Sequence, residues 1–228
     1  MKWIDTGFLI SKNQYNENSV IAEIFTKNYG KVTGIIFGAT SKKIKSYLEL
    51  GNLLHVNFFS KNPDKMGSFK IEIFKANTAF FFENKNKLLC IISTLKLIKI
   101  LTVENQINKN LYNLINNFFE IIKFDKWLKK YLIWELELFK VLGYNINFKD
   151  FVKKKMKNGS TNYFVISKKE KINIPSFLVN QNDLNSETDN KNLLDAMKIM
   201  NDFLEKSILI PSNIHFPEER VNFINNLT

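Results

Sequence analysis

The hydrophobic period of this chain changes once, near residue 80, and that change restricts the fold more than any other feature. Before it, apolar and polar residues alternate in five short runs: "WIDTGFLIS", "SVIAEIFT", "KVTGIIFG", "GNLLHVNFF" and "SFKIEIFKA". A period of two in β-branched and aromatic residues is the pattern of strands with one face buried. Turn-forming residues at 16–18, 28–30, 51–52 and 62–67 separate the runs. Five strands in so short a stretch are too few for a large sandwich. They suit a small, partly closed barrel of the OB type, with an open-edged Greek key as the alternative.

After residue 80 the period is 3.6. Ile107, Leu111, Leu114, Ile115, Phe118, Phe119 and Ile122 recur at three- and four-residue spacing, which predicts a helix with one buried stripe. Residues 127–144 are apolar on most of their circumference and predict a central helix, with Gly143 as its stop. Residues 88–101 and 193–204 read as helices too, and a short final one starts at Pro217. Between the central helix and the 193–204 helix lies an irregular insert, about residues 147–178. There Asn158–Gly159 is placed to head a hairpin. Residues 180–190 are polar and predict a loop ending in an N-cap at Thr188 or Asp189. The expected class is α+β: an OB-type barrel over residues 1–80 as a nucleic-acid-binding domain, then a helical domain over 81–228 carrying the insert.

The formal net charge is +11, but Arg220 is the sole arginine in a chain rich in Lys, Asn, Ile and Phe. That bias is the mark of AT-rich codon choice, so the position of the charge says more than its sum. Residues 1–80 carry eleven lysines against six acids, and 149–171 carry eight against two. Residues 172–228 reverse the balance, with eight acids against four basic residues. The polarised, basic part of the chain is the part that needs a partner. No signal peptide is expected, because the opening "MKWIDTGFLI" is short and interrupted by Asp5, and no membrane-spanning run, because the most apolar stretch, 88–103, contains Lys96 and Lys99. Cys90 within that stretch reads as a buried thiol, and the chain as a soluble intracellular protein.

Catalytic chemistry has little to stand on. His55 and His215 have no acid or nucleophile nearby in sequence, and no phosphate-cradling glycine-rich loop occurs. Asp183, Glu187 and Asp189 lack calcium-loop spacing and read as a solvated loop. The stretch "TKNYGKVTGIIFGATSKKIKS" is different. A glycine turn feeds a strand that ends at Gly38 and opens into a loop bearing Lys42, Lys43 and Lys45. Ammonium groups beside a small barrel suit a phosphate backbone, and Lys12, Lys27 and Lys31 extend the track over neighbouring turns. Gly30 and Gly38 are the structural turn residues of this ribbon. Tyr15, Tyr29 and Tyr47, beside turns, are the candidates for stacking on bases. Lys153, Lys154, Lys155 and Lys157 form a second patch in the insert.

The segment "DTGFLISKNQYNENSVIAEIFTKNYGKVTGIIFGATSKK" resembles the opening of the RecO recombination mediators, with Glu17, Gly30 and Lys31 in the family's turns and Gly38 and Ala39 at the Gly-Ala that closes its next strand. "LELGNLLHVNFF", "WELELFKVLGY" and "HFPEERVNFINNL" are similar to later family segments, in the same order. The resemblance implies an N-terminal OB-fold, a helical C-terminal domain and a cytoplasmic, nucleoid-associated protein that is not an enzyme and needs no cofactor. It implies binding of single- and double-stranded DNA and annealing of complementary strands. With RecR, such a protein helps load RecA on DNA coated by single-strand binding protein, whose acidic tail it also binds. Many members hold zinc on four cysteines in the insert. Residues 145–178 here contain neither Cys nor His, so no metal is expected. An RNA-binding OB protein and a protein-only adaptor for acidic tails are the alternatives.

Overall fold

The computed structural model of the chain describes residues 1–62, 65–144, 146, 148, 152–157, 160–167, 170–180 and 188–227. Strands β1 (Lys2–Asn16), β2 (Ser19–Thr26), β3 (Gly30–Phe37), β4 (Leu53–Phe59) and β5 (Gly67–Lys75) close into a barrel in the order β1-β2-β3-β5-β4. Neighbours are antiparallel except β3 and β5, which run parallel from Gly34↔Gly67 to Ile36↔Phe69. The length of β1 makes closure possible. Its first half pairs with β4, from Lys2↔Phe59 to Phe8↔Leu53, and its second half with β2. Register shifts between Leu9 and Ser11 and between Gln14 and Asn16 bend the strand from one partner to the other. This is the OB-type barrel that the alternating runs predict.

Alternation then sorts the side chains between interior and outer wall. Leu9, Ile24, Ile36, Leu54, Val56 and Phe69 are among those that fill the barrel. Each such side chain contributes about 1.5–3 kcal/mol on leaving water. One departure from the sequence reading occurs at the end of β3. The loop expected to carry Lys42, Lys43 and Lys45 is instead a short helix, α1 (Lys42–Tyr47), N-capped by the Ser41 hydroxyl, which accepts the Ile44 N–H at 3.3 Å. Ile44, Tyr47 and Leu48 share one face at helical spacing and pack on the barrel core. The helix plugs an end of the barrel.

The chain divides into two compact units, Met1–Asn116 with Pro217–Asn226, and Asn117–Phe216. The division falls within α3 (Lys109–Ile121). In the first unit, α2 (Lys85–Leu101) and the start of α3 lie with the barrel. Phe8, Ile10 and Phe25 alternate with interior residues, yet are buried. The Tyr112 ring meets Phe8 at 5.2 Å, and its hydroxyl hydrogen-bonds the Thr6 hydroxyl at 2.8 Å. Helix α7 (Glu218–Leu227) joins this unit through a Lys96–Glu219 ion pair at 3.0 Å.

The second unit is built on α4 (Trp127–Val141), buried on most of its faces as its composition predicts. Tyr131 stacks on Trp134, and its hydroxyl donates to the buried Glu135 carboxylate at 2.8 Å. Strands β6 (Lys153–Lys157), β7 (Ser160–Ser167) and β8 (Glu170–Ile174) form a small antiparallel sheet, followed by the single turn α5 (Ser176–Val179). The position expected to head the hairpin, Asn158–Gly159, lies outside the described residues, as do the polar residues 181–187; β6 and β7 pair on either side of the former, from Lys157↔Ser160. Asp189 caps α6 (Asn190–Phe203), accepting the Asn192 N–H at 2.7 Å. Among the described residues no helix is long and apolar enough to cross a membrane.

Candidate nucleic-acid interface

Because Ile44 and Tyr47 face inward, Lys42, Lys43 and Lys45 are forced outward, and all three are exposed. Beside them a cleft of about 380 Å³ is lined by Lys12, Gln14, Thr40, Lys45 and Glu49. Lys12 reaches in from β1 and donates to the Leu48 carbonyl at 2.5 Å, at the end of α1. Carbonyls in the last turn of a helix have no partner of their own, so a cation is favoured there. The β1–β2 turn is fastened to the same place. Asn18 accepts the Ala39 N–H on its carbonyl at 3.1 Å and the Thr40 hydroxyl on its side chain at 2.5 Å. Gly38, at φ +73°, makes the reversal out of β3. Four of the six predicted lysines, Lys12, Lys42, Lys43 and Lys45, therefore gather around one end of the barrel.

Lys27 and Lys31 do not join them. They flank the β2–β3 turn, at the other end of two eight-residue strands, which is roughly 25 Å away at the usual rise per residue. Lys27 is exposed. Lys31 is buried, and its ammonium donates to the Lys99 carbonyl at 2.7 Å and the Thr102 carbonyl at 2.5 Å. Burial pushes the Lys31 ammonium below its ordinary 10.5, against the opposing pull of Glu23 and Glu104; Lys99 adds to the lowering. Gly30 sits at φ +70°, and a Cβ on it would run into the backbone of Gln106. Together Gly30 and Lys31 fix residues 99–106 against the barrel.

That segment covers a particular face. Lys99 pairs with Glu23 of β2 at 2.5 Å and donates to the Ser11 hydroxyl at 2.9 Å. The Thr33 hydroxyl of β3 donates to Glu104, and the Asn105 N–H donates to the Lys31 carbonyl at 2.8 Å. OB barrels commonly present their strand 2–3 face to oligonucleotides. Here a helix end and two carboxylates occupy it.

The rings expected at turns are mostly packed away. Tyr29 stacks on Trp3 at 4.2 Å, Tyr47 joins the barrel core, and Tyr15 remains exposed. Besides Tyr15, the exposed phenylalanine rings on the described strands are Phe37, Phe59 and Phe74. Period two was the signal that could have found them, because each follows an inward-facing neighbour: Ile36, Phe58 and Ile73.

Residues 1–77 match the model of the N-terminal part of recombination protein O, and residues 83–214 match that of its C-terminal part. The chain belongs to the RecO family. The DNA repair protein RecO of Wolbachia sp. subsp. Drosophila simulans (strain wRi) is 27% identical over 239 residues, covering 96% of this chain and 98% of that protein. That of Wolbachia pipientis subsp. Culex pipiens (strain wPip) is 28% identical, with 98% of each chain covered. The Rickettsia canadensis (strain McKiel) protein of the same name is 31% identical over 143 residues, 63% of this chain and 59% of that one. Membership of the RecO family makes this a DNA repair and recombination protein, a mediator rather than an enzyme. Its chemistry is then that of binding, and the family implies DNA as what is bound.

Proposed function

We propose that this chain binds single- and double-stranded DNA at the lysine-bearing end of its barrel and anneals complementary strands. With RecR it helps load RecA onto DNA coated by single-strand binding protein, in the cytoplasm and on the nucleoid. The observation that carries this reading is the gathering of Lys12, Lys42, Lys43 and Lys45 around α1 and one cleft. Ammonium groups on a firmly seated helix meet phosphates without reading bases, which is what annealing of any sequence requires. Residues 1–80 supply the DNA-binding domain, and the helical residues 81–228 receive the acidic tail of the single-strand binding protein. Lys27 takes a further phosphate of a strand long enough to reach the opposite end. Lys31 acts from beneath, holding residues 99–105 over the β2–β3 face.

The test is a salt titration of DNA binding. Replacing Lys42, Lys43 and Lys45 together by Ala removes up to three phosphate contacts. The log–log salt slope on single strands should then fall by about 2. Annealing of complementary oligonucleotides, bare and coated, should slow in parallel. An unchanged slope would remove α1 from the interface.

A further inference from the structure

Among the described residues, the outer wall of the barrel is covered on one side only. Phe8, Ile10 and Phe25 are buried on the β1–β2 side, and residues 99–105 lie over β2–β3. The opposite wall, made by outward positions of β4 and β5, the start of β1 and the end of β3, is open. Register sets its rows: Lys2 opposite Phe59 and Ile4 opposite Asn57 on one side, then Phe59 opposite Ser68 and Asn57 opposite Lys70 on the other. Ile4 is 70% exposed, Phe37 61% and Phe59 48%, in a barrel whose other large strand residues are mostly buried. A second cleft, of about 320 Å³, is lined by Phe37, Phe59, Lys2 and Lys70, with Ile44 of α1 also on its lining. Helix α1 thus stands between two clefts, Ile44 lining this one and Lys45 the other.

We propose that this wall is a stacking platform for a single strand of nucleic acid, with bases laid on Phe37 and Phe59 and flanking phosphates held by Lys2 and Lys70. The proposal rests on the nucleic-acid reading above and extends it to a face that OB barrels do not ordinarily use. Exposed rings interleaved with ammonium groups match a ligand that is at once a polyanion and a row of π-faces. A second copy of this chain fits less well, because a two-fold contact through this wall sets Lys2 and Lys70 against their own kind. Glu72, the acid on this wall, lies opposite His55 and does not line the cleft. A duplex keeps its bases stacked inside, so the platform favours unpaired strands, while the α1 lysines serve both forms.

The experiment uses the full chain, with oligothymidine, a matching strand of abasic residues, and a duplex as probes. Phe37→Ala with Phe59→Ala should weaken oligothymidine binding roughly tenfold or more. It should leave duplex and abasic binding near wild type, and the salt slope unchanged, because no ion pair is removed. Phe37→Tyr with Phe59→Tyr should restore the affinity. A double Ala variant that binds oligothymidine like wild type, while the α1 triple variant is weakened, overturns the platform alone. Equal loss on the abasic strand overturns it too. So does a change of oligomeric state in sedimentation with DNA affinity unchanged, which would make the wall an interface between copies. A wild-type chain that binds none of the probes overturns this proposal and the DNA-binding reading together.

Discussion

The Lys31 ammonium lies under the end of α2, where two carbonyls from 68 and 71 residues further along the chain accept its protons. Its charge is retained at the expense of hydration, so its folded-state pKa lies below 10.5. Between that lowered value and 10.5 the unfolded chain binds more protons than the folded one, and stability therefore rises with pH through this window. Lys31→Met should abolish that alkaline rise. Lys31→Ala should cost about 1–3 kcal/mol at neutral pH by leaving the carbonyls of Lys99 and Thr102 without their partner. Urea unfolding followed from neutral pH to about pH 11 would measure both. Nothing local in sequence distinguishes Lys31 from Lys27, since the acceptors that bury one and not the other come from a distant helix. A sequence reading can find such lysines but cannot say which of them face water.

At the level of elements, the five strands were legible because each alternates with a period that any half-buried strand must keep. The closing register was legible only in outline, since it depends on two irregularities in β1 that no residue type announces. Helix α1 was not legible. Six residues rich in lysine do not hold a helix by themselves, and this one exists because Ile44, Tyr47 and Leu48 find the end of the barrel. The two glycines bounding β3 were legible as turns, but not as unequal ones. Gly38 has open space around its missing Cβ, whereas a Cβ on Gly30 meets the Gln106 backbone. Gly38→Ala should cost only the strain of a left-handed backbone, about 1–2 kcal/mol. Gly30→Ala should cost clearly more and should loosen residues 99–106, seen as lost amide protection there. Equal melting temperatures for the two variants would refute the difference.

On the scale of the whole molecule, the change of hydrophobic period near residue 80 marks a change of secondary structure, while the chain leaves its first compact unit after residue 116 and returns to it at 217. Helices α2 and α7 hold that return together, in part through Lys96 and Glu219. Burial works to raise the Glu219 carboxyl, but its backbone N–H and the Lys96 ammonium outweigh burial and hold it below 4.5. The pair's stabilisation is thus full above 4.5 and is lost as pH falls through the lowered value. Glu219→Gln should lower stability at neutral pH by less than about 1 kcal/mol, because the pair is partly exposed. It should also flatten the acid limb, as read from urea midpoints near pH 7 and pH 3.

Residues 217–226 complete a body whose first 116 residues leave the ribosome long before them. A nascent chain therefore carries its lysine-tipped barrel for as long as it takes to make the hundred residues between. Only then does the segment arrive that fastens α2 from outside.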